Sequence, residues 1–213
     1  MCGIVTSPQL QFAAEIAHKM RTRGTRAWSV SVINLDTLTL DTVHESLEKF
    51  SVEHVLSLPI EQTSAQNRQY VIHVQSPTAI TYRFHPARDE HGRALWHNGM
   101  LESYELHMLE QRAQNKLWDT EVLLSLIDVS KDSRKYRHLE RFLGSFSCYF
   151  LEKDTGFFAF RNRISPQYVN PSIRTFASIQ FPGSQRLDPG IVVDILTGDT
   201  VAEFRNDTNP FGV

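Results

Sequence analysis

Between residues 9 and 21 the apolar positions Leu10, Phe12, Ala13, Ile16, Ala17 and Met20 recur at helical spacing, which predicts a helix with one face against a core. A hairpin is expected next, 28–33 and 37–42, turning at Asn34-Leu35-Asp36. Residues 43–68 are polar and weakly patterned, consistent with a short helix and a loop. Strands are expected at 70–74 and 94–97, with Pro77 and Pro86 interrupting the stretch between them. Helices follow at 102–112 and 120–129, the second with Asp119 in the N-cap position. From Gly144 the pattern changes to short strands: 145–151, 156–161, 174–178, 190–196 and 201–204, with turn chemistry at Asp154-Thr155-Gly156 and Thr197-Gly198-Asp199. Helices gathered in the middle and strands on both sides give an α+β order rather than the strict alternation of a doubly wound sheet. No repeat, low-complexity tract or linker divides the chain, so residues 1–213 are expected to form a single domain.

Composition narrows the class. The 213 residues are 41% hydrophobic and 22% charged with a net charge of −2, ordinary for a soluble globular protein with a real core. No Lys/Arg-rich stripe argues for nucleic acid, no apolar run approaches a membrane span, and the first residues lack a basic-then-apolar leader. A cytoplasmic protein without nucleic-acid or membrane partners is expected. The two cysteines, Cys2 and Cys148, need not pair: Cys148 lies in the alternating, aromatic-rich run 144–150, where a buried free thiol is the expected state. The nine histidines are scattered without zinc spacing, so neither a metal site nor any other cofactor is expected.

The candidate chemistry starts at Met1-Cys2-Gly3-Ile4. The small Cys2 side chain favours removal of Met1, and Cys2 would then carry a thiol and a free amine on one residue. An amine of pKa roughly 7.7–8.0 is suited to take a proton from a thiol of about 8.5 near neutral pH. Nucleophile and base would thus share a residue. Cleaving an amide also needs N–H donors for the developing oxyanion, and Asn98-Gly99, at the end of an apolar strand, offers a side-chain amide beside a closely approachable backbone. The same dipeptide is also a hairpin-turn signal. Asp119 has two compatible readings, a helix cap and an anchor for a substrate ammonium.

These motifs, in order, resemble the class II (N-terminal nucleophile) glutamine amidotransferases, whose glutaminase domains occur in asparagine synthetase, glucosamine-6-phosphate synthase and amidophosphoribosyltransferase. The likeness rests on Cys2-Gly3-Ile4, Arg23-Gly24, His73-Val74-Gln75, His97-Asn98-Gly99 and Asp119-Thr120-Glu121-Val122. Weaker matches are Phe160-Arg161-Asn162-Arg163 with Pro166 and Tyr168, Thr175-Phe176-Ala177-Ser178, and Asp188-Pro189-Gly190. The resemblance implies an Ntn-hydrolase-type four-layer αββα sandwich of two stacked, mainly antiparallel sheets. It also implies the roles. Cys2 attacks the glutamine side-chain amide and releases ammonia through a γ-glutamyl thioester. Asn98 and Gly99 form the oxyanion hole, Arg23 lines the nucleophile's pocket, and Asp119, Thr78 and the residue at position 75 contact substrate. Family members pass the ammonia to an acceptor domain, so a separate acceptor synthetase is the expected partner.

The departures are specific. Where the family places an Arg to grip the substrate α-carboxylate, this chain has Gln75, and a neutral amide does not replace a guanidinium fork. Arg83 or Arg26 would then have to reach the carboxylate, or free glutamine is not the substrate. Thr25-Arg26 follow Arg23-Gly24 in place of the family's usual pair, and Ile179 stands where the family has Glu. His85-Pro86 resembles a His-Pro of the sugar-phosphate synthase branch. Two alternatives to a glutaminase stay open: a standalone hydrolase of another γ-glutamyl amide, and a non-catalytic ligand-binding relative.

Overall fold

Gly3-Ile4-Val5-Thr6-Ser7 is buried at every position and forms β1 (Gly3–Ser7), a strand flanked on both edges. The structure, a computed structural model, describes residues 2–22, 27–60, 67–76, 83–101, 107, 110–111, 118–129, 132–141 and 144–205. Helix α1 (Leu10–Met20) follows β1 and buries Ala13, Ala14, Ile16, Ala17 and Met20, the face expected from the sequence with little change. The hairpin is β2 (Ala27–Asn34) and β3 (Thr39–Ser46), with Asn34 Oδ1 accepting the Asp36 and Thr37 N–H groups in the turn. The polar stretch holds a short helix, α2 (Val52–Ser57), capped by the Ser51 hydroxyl on the His54 N–H.

The remaining strands are β4 (Arg68–Gln75), β5 (Ala87–Arg88), β6 (Ala94–Leu101), β7 (Gly144–Glu152), β8 (Gly156–Arg161), β9 (Tyr168–Asn170), β10 (Thr175–Ala177), β11 (Gln185–Arg186), β12 (Ile191–Asp194) and β13 (Thr200–Glu203). Helix α3 (Asp119–Leu126) and a 3-10 helix (Ser133–Arg141) lie between β6 and β7. Most of the helix expected at 102–112 falls outside the described residues. All pairings are antiparallel and form two sheets, ordered β11-β9-β10-β1-β4-β2-β3 and β13-β12-β8-β7-β6-β5.

Three apolar layers show how the sheets stack. Ile4, Val71, Trp96, Tyr149, Phe157 and Phe176 fill the space between them. Val5, Val30 and Ile72 face the other way, onto α1 and α2, and Leu95, Phe150 and Phe160 face α3 and the 3-10 helix. The order is therefore helix, sheet, sheet, helix: the α+β four-layer sandwich. Because each sheet is covered on both faces, its central strands are apolar on both, as parallel sheets usually are. No helix of the described residues is long and apolar enough to cross a membrane.

One buried charge pair stands out in the outer layer. Lys135 Nζ meets Glu152 Oε2 while lying 5.4–5.5 Å from the ring centres of Tyr136, Phe150 and Phe158. Glu152→Gln keeps the shape and leaves the cation without its counter-charge, so it is expected to cost about 3–5 kcal/mol of folding stability. Urea denaturation measures this; an unchanged midpoint would show that the rings alone hold the cation.

Candidate active site

Cys2 stands at the head of β1, 7% exposed, one step beyond the Gly3–Val74 pair that joins β1 to β4. Its strand is fixed from both sides. Ile4 N–H donates to Ser178 Oγ at 3.1 Å, and Ile4 C=O accepts the Ser178 N–H at 2.9 Å. The backbone at Gly3 passes so close to α1 that an added Cβ would lie 2.7 Å from Met20 Cβ. Burial pushes the Cys2 thiol above its ordinary value; the Ser76 N–H and the positive amino terminus oppose this, and the Asp119 carboxylate adds to it. A thiol so placed is stored protonated and reacts only with a base at hand. That coupling also places Asp119 within electrostatic reach of Cys2. The second thiol, Cys148, is free and fully buried in the outer core.

Asn98 and Gly99 belong to the interior of β6, paired with Ser147 and Phe146 of β7, so the turn reading of this dipeptide is wrong. Gly99 is demanded by close approach: a Cβ there would lie 1.9 Å from Ser145 O. Both backbone groups of Phe146 are engaged by Asn162 on its other side. By the alternation of an antiparallel ladder, the Gly99 N–H therefore points away from β7. On that same edge Leu101 N–H meets Asp119 Oδ2 at 3.4 Å and His97 C=O meets His73 Nε2 at 3.0 Å. Asn98 is 2% exposed, and its Oδ1 has no partner among the described residues.

Asp119 is the first residue of α3 rather than its cap; Trp118 occupies the cap position, without a side-chain bond to the helix. The Asp119 carboxylate looks across to β6 instead, 3.7 Å from His97 Nδ1, and keeps about a quarter of its surface exposed. A carboxylate in the first turn is also favoured by the helix dipole. Gln75 ends β4 opposite Ala27 and is half-buried. Arg23, Arg26 and Thr78 lie outside the described residues. Arg83 is engaged elsewhere: its guanidinium pairs with Glu121 and lies 5.9 Å from the Trp118 ring centre.

A cluster of imidazoles that the sequence reading left without roles lies beside these groups. His85 is buried, stacked on His73 with ring centres 3.8 Å apart, and edge-on to Trp118. His85 Nε2 and His97 Nδ1 approach the same Thr120 hydroxyl, at 3.1 and 3.3 Å. A histidine in the apolar run Tyr70–Val74 was the one sequence signal for this cluster. Burial lowers all three rings, His73 to about 3; for His97 the Asp119 carboxylate and Ser145 carbonyl oppose the shift. Among the described residues no group of three His, Cys, Asp or Glu side chains could hold a metal ion.

Two facing antiparallel sheets with helices outside make an αββα sandwich of the Ntn-hydrolase fold, and a buried cysteine heads one of its central strands. Two solved structures share this arrangement. Glutamine phosphoribosylpyrophosphate amidotransferase from B. subtilis, in complex with ADP and GMP, matches with a TM-score of 0.64 at 15% identity, over 95% of this chain and 49% of that one. The allosteric regulatory enzyme of purine biosynthesis matches with a TM-score of 0.62 at 16% identity, again over 95% and 49%. The chain spans about half the length of these structures, and at such identities the likeness is one of fold. No protein-family model matches the chain, and no curated protein does.

The histidine cluster predicts an acid-labile fold. A ring neutral when folded and protonated when unfolded draws the equilibrium toward the unfolded chain below pH 6.5. Stability is therefore intact above 6.5 and lost as pH falls from 6.5 toward 3, by up to about 1.4 kcal/mol per pH unit for each such histidine. Melting temperatures between pH 7.5 and 5 are expected to fall, and less steeply in His73→Asn; equal slopes would remove His73 from the explanation.

Proposed function

We propose that this chain is a glutamine amidotransferase of the glutaminase type, an amidohydrolase acting through Cys2. The reading is supported by the buried Cys2 thiol, on which the Asp119 carboxylate acts electrostatically, and by the Gly99 N–H on the edge of β6 that Asp119 faces. Removal of Met1 would give Cys2 its own amine as base. The amine takes the thiol proton and Sγ attacks the side-chain carbonyl carbon of glutamine. Asn98 Nδ2 and the Gly99 N–H receive the oxyanion, for which one lost donor typically costs about 10²–10³ in turnover. The ammonium formed on Cys2 returns its proton to the departing ammonia. Water then enters with the amine again as base, and glutamate leaves from the thioester. Asp119 holds the substrate α-ammonium, with Thr78 and Gln75 contributing further contacts and Arg23 lining the nucleophile's pocket. The ammonia would be consumed by an acceptor enzyme outside this sequence, in a protein that works in the cytoplasm as one domain over residues 1–213.

Gln75 and the commitment of Arg83 to Glu121 favour a second reading within the same chemistry, hydrolysis of another γ-glutamyl amide whose α-carboxylate needs no guanidinium. Ammonia release from glutamine, measured on the chain and on Cys2→Ala, tests the proposal: activity lost in the variant supports it, and equal activity sinks it. A glutamine-analogue diazo-ketone is expected to alkylate Cys2, located by peptide mass spectrometry. Intact mass is expected to show Met1 absent; its retention would block the amine and end the enzyme reading.

A further inference from the structure

Thr120 is fully buried, and three polar atoms converge on its hydroxyl: His85 Nε2 at 3.1 Å, His97 Nδ1 at 3.3 Å and Asp119 Oδ1 at 3.5 Å. A hydroxyl has one proton, so the senses of these bonds are constrained. His97 Nε2 faces the Ser145 carbonyl at 3.3 Å, an acceptor, so in the neutral ring that nitrogen carries the hydrogen. His97 Nδ1 is then a lone pair and takes the Thr120 O–H at 3.3 Å in preference to the more distant Asp119 Oδ1 at 3.5 Å, which is left without that proton. The Thr120 oxygen in turn accepts from the His85 Nε2–H. This leaves His85 Nδ1 as an acceptor, and it is the ring atom buried without a partner among the described residues. The chain runs in one direction, His85 to Thr120 to His97 to Ser145. A second bond, from His73 Nε2–H to the His97 carbonyl, holds the peptide that leads into Asn98.

We propose that Thr120 is a positioning residue whose hydroxyl ties helix α3, carrying Asp119, to strand β6, carrying Asn98 and Gly99, and so sets the distance between the two ends of the substrate. This role rests on the glutaminase reading of the site. Asp119 adjoins Thr120 and Asn98 adjoins His97, so one hydrogen bond spans the gap between ammonium anchor and oxyanion donors. Among the described residues the Asp119 carboxylate has only long contacts, at 3.4 to 3.7 Å, which leaves it free for a cation while Thr120 fixes the backbone beneath it.

Thr120→Val keeps the shape and removes the hydroxyl; Thr120→Ser keeps the hydroxyl and removes the methyl. T120V is expected to lower kcat/KM for glutamine by about 10- to 100-fold, the scale of a misplaced reacting group, and to narrow the preference for glutamine over the one-carbon-shorter asparagine. T120S is expected to restore both. Unchanged kinetics and preference in T120V would overturn the proposal, as would equal losses in T120V and T120S, which would assign the effect to methyl packing. Nitrogen-15 NMR of the unmutated chain gives an independent reading should T120V not fold: both His85 and His97 are expected as Nε2–H tautomers, and an Nδ1–H on His97 overturns the chain of bonds. If the unmutated chain neither releases ammonia nor is alkylated at Cys2, the glutaminase reading itself fails and this role with it. Wild-type activity with a silent T120V sinks this role alone.

Discussion

Everything at the candidate site depends on β1 being clamped between two strands from distant parts of the chain. β4 pairs with it along all five residues, and β10 joins its other edge at Val5 and Thr6. The Ser178 hydroxyl closes the arrangement, accepting from Ile4 N–H while lying 3.1 Å from Met20 Sδ. A strand held this way has no freedom to fray, although it begins within three residues of an end, where chains are usually loosely ordered. The absence of a side chain at Gly3 then lets α1 close over the strand, and Cys2 inherits its position from these contacts.

The second sheet contributes an edge rather than a face. Residues 97, 99 and 101 share one orientation in the β6 ladder, and their backbone groups point away from β7. Helix α3 brings Asp119 and Thr120 to that edge, and the connection into β5 brings His85. Burial lowers the three imidazoles, so the rings set little cationic charge beside the Asp119 carboxylate. A neutral polar network of this kind fixes geometry at the expense of acid tolerance.

Much of the fold was legible because its strongest signals are local. The helix expected at 9–21 is α1 (Leu10–Met20), and the strand expected at 156–161 is β8 (Gly156–Arg161). Where the sequence misled, the deciding partner was far away. Asn98-Gly99 carries turn chemistry, yet pairing with Ser147 and Phe146 nearly fifty residues on keeps β6 extended through it. β9 and β11 are three- and two-residue strands with no periodicity of their own, and the 3-10 helix Ser133–Arg141 is built from mostly polar residues. The site divides similarly. Cys2, Asn98, Gly99 and Asp119 are proposed from motif order, whereas the Thr120 hydroxyl and the stacked His73 and His85 exist as a group only once two sheets and a helix have met.

The clamp on β1 also has a consequence in time. Residues 175–178 are made long after residue 2, and at about 5–20 residues per second the interval is roughly 10–35 s of synthesis. Until Ser178 has left the ribosome, one edge of the strand behind Cys2 has no partner. The order of translation therefore separates a period in which Cys2 lies open from one in which its thiol is enclosed.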